Sequence, residues 1–476
     1  FCICIFIVHN FLIKMNHKSG ENKIAKLISR YEDMLNNNTQ SFFDTHEFED
    51  IADHYIEKGL LGEAMGSMEM ATTQYPFSAN FLIKKAQILT ILERLPEAEI
   101  TLDKAETLEP SNPDLHIAKG SILSKKRKHQ EALQHFHKAQ KLSENPIDVY
   151  PFIAFEYQCL GRFQDAIKYL ESFLNNEPED DIAIFNIAYC FERLDAYNDA
   201  IDFFKKLIEK SPYCEIIWYQ LGLFYNKIKD YKQAIIALDY AILIDECFTA
   251  GYHEKARSLT QLGKTKEAIN TYLLTFAFEN ATGYTYLKIG LCYKELSIYK
   301  QAIRYFTKAC HEDPQLSEAW MEIGLCYEAT GSIEEALYNI NKAVNLSPDD
   351  LEYLYIQTKI HYKTGLYNEA ELGYKKLIKL GCESPTIWME YAHLMKKLNE
   401  TKKAISILKR GLKQNKNHSE LLARLGAYLF LEGQEDLAHK YLRLANSINP
   451  EIKTHLFKHI PALKNNDTFK KLLNLK

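Results

Sequence analysis

The sequence predicts an all-α protein built from tandem pairs of short helices. Alanine recurs at every thirty-fourth residue from Ala64 to Ala438, twelve times without an insertion or deletion. Twelve residues before each of these alanines, eleven of the twelve residues are glycine or alanine. A period of this length is typical of one helix–turn–helix unit that buries its apolar face against the units beside it.

We number each unit from position 1, with Thr45 as the first residue of the first unit. The twelve predicted units are 45–78, 79–112, 113–146, 147–180, 181–214, 215–248, 249–282, 283–316, 317–350, 351–384, 385–418 and 419–452. The ends of such an array need a polar outer face, so a capping helix is expected within 15–44 and a capping segment within 453–476. Residues 1–14 precede the first methionine and are expected to be an untranslated or disordered extension, with a truncated signal or membrane anchor as the alternative.

Small residues mark where the two helices of a unit cross. Two helices approach to about 8–10 Å only where the side chains between them are small, and positions 8 and 20 supply one small residue on each helix. Glycine at position 15 predicts a left-handed residue that ends the first helix. Proline at position 32 predicts the end of the second helix. The glycines at position 15 are Gly59, Gly161, Gly263, Gly331, Gly365 and Gly433.

Larger residues occupy the positions between these small ones. Tryptophan stands at position 4 in three units, tyrosine at position 11 in five and phenylalanine at position 24 in three. In these columns the sequence resembles the tetratricopeptide repeat family over residues 45–452, and residues 317–350, SEAWMEIGLCYEATGSIEEALYNINKAVNLSPDD, match its pattern well. The resemblance implies a right-handed α-solenoid whose first helices line a concave, partner-binding groove. Thr358 at position 8 and Pro151 inside a first helix depart from the pattern, and we expect them to change the packing angle locally.

Composition and motifs argue against catalysis. The net charge is −5, so no basic field covers the whole chain. The sequence contains no HExxH, GxSxG or GxGxxG motif. The ten cysteines are widely spaced without a CxxC pair, which favours reduced thiols in a cytoplasmic protein over zinc sites or disulfides. We therefore expect no enzyme activity, cofactor or metal, and richness in Ile, Lys, Asn, Tyr and Phe favours a bacterial source.

The predicted binding surface lies on positions 5 and 9 of the first helices. These positions are one helical turn apart, so they form one stripe. In the middle of the chain the stripe is aromatic or aliphatic, which suits the anchoring of a partner peptide or helix. Burial of the same residues between neighbouring units is the alternative. The candidate groove residues are Phe155, Phe185, Tyr189, Tyr219, Leu223, Leu287, Leu291, Met321 and Tyr355.

Charge is unevenly distributed along the chain. Residues 385–476 hold 17 basic and 8 acidic residues, whereas the rest of the chain is net acidic. A possible electrostatic patch comprises Lys359, Lys363, Lys396 and Lys397. The sequence thus predicts a non-catalytic protein-interaction scaffold. Two alternatives stay open: a binder of nucleic acid or an acidic ligand through the lysine-rich C-terminal third, and a regulatory subunit of an enzyme complex.

Overall fold

A computed structural model describes residues 21–37 and 41–452, together with Leu456, Leu463 and Phe469. The predicted extension at 1–14 and most of the predicted capping segment at 453–476 lie outside the described residues. Within the described part every regular element is a helix. The residues fall into two compact units that divide between Leu262 and Gly263.

In its described residues the first unit contains fourteen α-helices. They are α1 Glu21–Asn36, α2 Thr45–Glu57, α3 Leu61–Gln74, α4 Ala79–Ile91, α5 Leu95–Leu108, α6 Pro113–Lys125, α7 His129–Leu142, α8 Tyr150–Cys159, α9 Phe163–Leu174, α10 Asp181–Arg193, α11 Tyr197–Lys210, α12 Glu215–Lys227, α13 Tyr231–Ile244 and α14 Thr249–Gln261. A 3₁₀ helix, Pro146–Val149, precedes α8.

The second unit contains eleven α-helices in its described residues. They are α15 Thr265–Leu274, α16 Gly283–Glu295, α17 Tyr299–Glu312, α18 Ser317–Thr330, α19 Ile333–Leu346, α20 Leu351–Lys363, α21 Tyr367–Lys379, α22 Pro385–Lys397, α23 Thr401–Gln414, α24 Ser419–Leu431 and α25 Glu435–Ile448. A 3₁₀ helix, Thr275–Ala277, follows α15. Each unit is therefore a stack of helix hairpins, and the predicted all-α, solenoid-type fold class is confirmed.

The helices follow the 34-residue period closely. The second helix begins at position 17 in all twelve repeats, and the first helix begins at position 1 in eleven of them. The exception is the fourth repeat, where α8 begins at Tyr150 and Pro151 occupies the first turn rather than the helix interior. Proline fits there because the backbone N–H groups of a first turn have no partner within the helix. Pro151 therefore shortens its helix at the start, and the expectation of a proline inside it was wrong.

The column of alanines at position 20 lies at the centre of each hairpin. All twelve alanines are fully buried. The glycines at position 8 are also closely surrounded. A Cβ atom added to Gly290 would lie 2.5 Å from ring atoms of Phe306, and one added to Gly324 would lie 2.4 Å from Cγ1 of Ile340. These distances leave no room for a larger residue, so the small columns set the spacing between the two helices.

Position 15 adopts the left-handed conformation in every repeat, whether or not it is glycine. The six glycines there have φ between 72° and 85°. The other six residues, which are Glu93, Arg127, Asp195, Lys229, Ser297 and Asn399, have φ between 51° and 63°. The tight turn between the helices therefore imposes this conformation on side chains that disfavour it.

Thr358, the only position-8 residue that is neither glycine nor alanine, is accommodated by the opposite helix. Its side chain is buried and its Oγ1 donates a hydrogen bond of 2.7 Å to the carbonyl oxygen of Leu354. Across the crossing stands Gly373, where an added Cβ would lie 2.1 Å from Oγ1 of Thr358. The larger residue on α20 is thus accommodated because the facing residue on α21 is glycine, which has no side chain.

Residues on both sides of the twelve repeats pack against the terminal repeats. Ile28, Tyr31 and Met34 of α1 are buried in the same apolar cluster as Phe43 and Phe48. At the other end Phe469 is buried, with its ring centroid 5.0 Å from that of Phe430. Both contacts cover apolar surface that a terminal repeat would otherwise expose.

Replacing Lys229 by glycine is expected to stabilise the protein. Relief of the left-handed strain, about 1–2 kcal/mol, exceeds the extra chain entropy that glycine costs, about 0.5–1 kcal/mol. Urea unfolding should therefore show a higher midpoint for Lys229→Gly. The matched control is Lys206→Gly on the exposed face of α11, which should lower the midpoint because glycine is about 1 kcal/mol worse than the best helix formers. A fall for both variants would contradict the strain argument.

The match in size between Thr358 and Gly373 is tested by substituting each residue alone and both together. Gly373→Ala should destabilise the protein by about 1–3 kcal/mol, because the added methyl overlaps the threonine. Combining it with Thr358→Gly should recover part of that loss, with a coupling of about 1 kcal/mol or more between the two sites. As a control, Gly66→Ala in α3 has no neighbouring atom within 4 Å and should stabilise its helix. Additive effects of the two changes at the crossing would refute the match.

Candidate partner-binding groove

The first helices of three consecutive repeats, α10, α12 and α14, together line a cleft of about 380 Å³. Its apolar side is formed by Phe185 and Tyr189 of α10 and by Tyr219 and Leu223 of α12. Each pair is spaced four residues apart, so both members lie on one face of their helix. Repetition of the hairpin brings the same face of each helix to the same side of the stack.

Phe185 and Tyr189 are well exposed for aromatic side chains. Both retain 48% of their accessible surface. The ring of Tyr189 packs edge-on against Phe163, with centroids 5.9 Å apart. Tyr219 is half-buried, with its ring edge-on to Phe248 at 5.1 Å. Rings held in place on one side and open on the other lose little conformational entropy when they take up an apolar ligand.

Charged residues also line the cleft. Glu192 of α10 forms an ion pair with Lys227 of α12. On α14, the guanidinium of Arg257 lies 2.9 Å from a carboxylate oxygen of Glu254. Burial raises the pKa of the Glu254 carboxyl, although Arg257 opposes that shift. The cleft therefore combines an apolar surface with charges that are already balanced by neighbours.

A buried polar contact supports the cleft between α12 and α14. Ser258 is buried, and its Oγ lies 2.8 Å from Oδ1 of Asn226 and 2.8 Å from the carbonyl oxygen of Glu254, either of which can accept its one hydrogen bond. Desolvation raises the pKa of the Tyr219 hydroxyl beside them, so this side chain stays neutral and can donate a hydrogen bond at ordinary pH. The support fixes the separation of the two helices across which a ligand would lie.

Four of the nine predicted groove residues line this cleft, and the other five do not. Phe155, Leu291 and Tyr355 are half-buried elsewhere, and the hydroxyl of Tyr355 donates a hydrogen bond of 3.0 Å to Glu390. Leu287 and Met321 are buried in apolar clusters. For these two the expectation of an open groove position is wrong, because neighbouring helices cover position 5 there.

The charged residues of the cleft were missed by the sequence-based prediction. Glu192 occupies position 12 of its repeat and Lys227 occupies position 13. Arg257 occupies position 9. The apolar stripe drew the prediction to positions 5 and 9 with aromatic or aliphatic residues, so the charged residues that complete the same surface were left out.

The four predicted patch lysines are engaged with residues around them. Lys363 lies 2.5 Å from a carboxylate oxygen of Glu328, and Lys396 donates a hydrogen bond of 3.0 Å to Thr401. The ammonium of Lys397 stands over the rings of Tyr362 and Tyr367, and Lys359 stands over Tyr355. A hydrogen bond with Tyr367 raises the pKa of Lys397.

The described part of the chain can be compared with the requirements of metal binding, membrane insertion and thiol reactivity. Among those residues no group of three or more His, Cys, Asp or Glu side chains is placed to hold a metal ion. No helix among them is long and apolar enough to cross a lipid bilayer. Desolvation raises the pKa of the buried thiols of Cys190 and Cys326 to about 11, which keeps them protonated and poorly nucleophilic.

Family models match three stretches of the chain. Two of them are tetratricopeptide repeat models, which match residues 157–213 and 216–246. A third, described as the C-terminal domain of cilia and flagella-associated protein 70, matches residues 249–446. No protein of curated function matches the chain. These matches do not indicate the organism, so the bacterial source suggested by the composition is unsupported.

Several solved structures resemble parts of the chain. The C-terminal part of a tetratricopeptide repeat protein from Cytophaga hutchinsonii is 15% identical, covering 54% of this chain and 100% of that one at a TM-score of 0.45. YrrB, described as a protein of this repeat class with an unusual peptide-binding site, is 18% identical over 37% of this chain and 92% of its own, at a TM-score of 0.32. A chain in the crystal structure of the APC/C hetero-tetramer Cut9–Hcn1 is 12% identical. The match covers 95% of this chain and 98% of that one, at a TM-score of 0.31.

At these TM-scores the fold assignment rests on the helices of this chain rather than on the solved structures. The repeat models match α10 and nearly all of α12, two of the three helices that line the cleft, and both helices begin where the 34-residue period predicts. Tetratricopeptide repeats are thus recognised within residues 157–246, and the buried alanine column has the same 34-residue spacing on either side of them.

Proposed function

We propose that this protein is a non-catalytic interaction scaffold that binds a short apolar segment of a partner protein in the cleft formed by α10, α12 and α14. The observation that carries the proposal is the pair of half-exposed rings, Phe185 and Tyr189, facing Tyr219 and Leu223 across one cleft. Aromatic side chains in a preformed concave surface are the residues that most often dominate binding energy at protein interfaces.

The paired charges that line the cleft favour a segment that is apolar rather than strongly acidic or basic. Lys227 is neutralised by Glu192, and Arg257 is neutralised by Glu254. A ligand would therefore gain mainly from burying the aromatic surface, and its binding would depend weakly on salt. The same feature argues against nucleic acid as the ligand of this cleft, because phosphate binding requires cations that are available to the ligand.

The two alternatives receive less support. The patch lysines that would serve a nucleic acid or an acidic ligand are engaged locally, Lys363 with Glu328 and Lys397 with two tyrosine rings. A regulatory role in an enzyme complex is one use of a scaffold and needs the same partner-binding cleft. We further propose a cytoplasmic location, since no disulfide joins the described cysteines.

The proposal is tested by selecting peptides from a random display library on the full-length protein. The selected peptides should be enriched in apolar residues, and Phe185→Ser and Tyr189→Ser should each weaken their binding about thirtyfold or more, as expected for hot-spot residues worth about 2 kcal/mol. Isothermal titration of one selected peptide at low and high salt measures both the affinity and its salt dependence.

The control for this experiment is Phe77→Ser, which removes an exposed aromatic ring outside the cleft. It should leave peptide affinity unchanged. The melting temperatures of the two cleft variants should stay close to that of the parent, because their rings are only half-buried. Equal binding by parent and cleft variants, or loss of binding only in variants that also melt early, would refute the proposal.

A further inference from the structure

Helix α13 exposes a ridge of three large apolar side chains on its outer face. Ile236 retains 48% of its accessible surface, Tyr240 46% and Leu243 75%. The spacings of four and three residues place all three on one helix face. Lone apolar residues are common on protein surfaces, but a continuous row of this kind marks a contact surface.

The ridge is a departure from the repeat, since its three residues occupy positions 22, 26 and 29. In the third repeat the same positions hold Gln134, Lys138 and Lys141. Of the twelve repeats, the sixth is the one with large apolar residues at all three. The hairpin therefore folds with polar residues here, and the apolar residues of α13 are not required by packing within the repeat.

Two further aromatic residues extend the ridge. Trp218 of α12 stacks on Tyr240, with ring centroids 4.4 Å apart, and its indole N–H donates a hydrogen bond of 2.9 Å to the carbonyl oxygen of Pro212. The next residue, Tyr213, retains 83% of its accessible surface. Since a large aromatic side chain carries about 150–250 Å², the ridge and Tyr213 together expose on the order of 500 Å² of mainly apolar side chain.

This surface is separate from the cleft proposed above. Every residue that lines the cleft belongs to α10, α12 or α14. The ridge lies on α13, the second helix of its hairpin. A ligand in the cleft would leave the ridge uncovered, so a different contact must account for it.

We propose that the ridge on α13 is the contact through which two copies of this chain form a symmetric dimer, with the two α13 helices packed antiparallel. A standard interface buries about 800 Å² on each partner. The ridge and Tyr213 provide more than half of that area as an apolar centre, and the charged residues around them provide a polar rim.

The charges at the two ends of α13 complement an antiparallel copy. Lys232 lies in the first turn of α13 and Glu246 lies in the turn two residues after its end; both are exposed, and they stand seven residues before and after Asp239. If the two-fold axis passes near Asp239, Lys232 of each chain lies opposite Glu246 of the partner subunit, which makes two equivalent ion pairs. Asp239 itself would approach the axis, and its charge is offset by Lys255, whose Nζ lies 2.5 Å from its carboxylate. Antiparallel helix dipoles also attract.

The test is sedimentation equilibrium of the full-length chain over about 1–100 µM. The parent should form a dimer of twice the chain mass, with a dissociation constant in the micromolar range expected for a modest interface. The triple variant I236Q/Y240K/L243K gives α13 the outer residues of the third repeat. It should fold normally by circular dichroism and melting, and its dissociation constant should rise at least a hundredfold.

Charge reversal tests the antiparallel arrangement directly. Lys232→Glu and Glu246→Lys should each raise the dissociation constant of the dimer about tenfold, because each turns both of the equivalent ion pairs into pairs of like charges. The double variant K232E/E246K should restore the dissociation constant of the parent, because both ion pairs can form again with the two charges exchanged. The control Ile100→Gln removes an exposed apolar residue at position 22 of the second repeat and should leave dimerisation unchanged.

Three results would overturn the proposal. The parent could remain monomeric up to about 100 µM, as it would if the ridge served only a partner of different sequence. The dimer could persist in the triple variant, which would place the contact elsewhere. The double charge reversal could fail to restore dimerisation. Binding of the peptides selected for the cleft should be unaffected in the triple variant, so failure of this proposal is distinguishable from failure of the proposed scaffold function.

Discussion

The close crossing of two helices over small residues is the contact on which each repeat depends. Twelve fully buried alanines at position 20 lie in hairpins whose position 8 is glycine or alanine in eleven of the twelve repeats, and the atoms around Gly290 and Gly324 leave no space for a side chain. Backbones that approach this closely pack over a long stretch, so a hairpin of two helices of some thirteen residues can bury a continuous apolar strip. Because the crossing recurs every 34 residues, neighbouring first helices within each compact unit meet in the same register.

The cleft follows from this register. Residues four apart on α10 and α12 face the same side because both helices begin at position 1 of their repeats. The repeat supplies the geometry, while the residues at positions 5, 9, 12 and 13 supply the chemistry. At Phe185 and Tyr189 these positions carry exposed rings, whereas packing needs only the small and apolar columns elsewhere on the helices. Binding residues can therefore vary from repeat to repeat without disturbing the fold.

Much of the fold was predictable from the sequence because its determinants are local and repeated. The alanine column and the turn glycines predicted where the helices lie, and all six of those glycines have positive φ. What the sequence did not reveal depends on partners in another helix. Thr358 looked like a disturbance until the structure placed Gly373 opposite. Pro151 looked like a defect inside a helix, but the helix begins one residue before it.

The same limit explains the mixed outcome for the groove residues. Position 5 is exposed at Phe185 and buried at Leu287 and Met321. Its burial is decided by the size and direction of side chains on neighbouring helices, which a periodic pattern in one helix does not contain.

Departures from a repeat have to be judged by whether the fold explains them. The Thr358–Gly373 pair is explained within its own hairpin, where a larger residue on one helix is matched by a smaller one on the other. Ile236, Tyr240 and Leu243 have no such explanation, since eleven other repeats fold without large apolar residues at all three positions and solvent reaches about half or more of each side chain. An apolar row that the hairpin does not need carries a cost in solubility. Such a row is retained most simply where something outside the hairpin covers it, as in the dimer proposed for the outer face of α13.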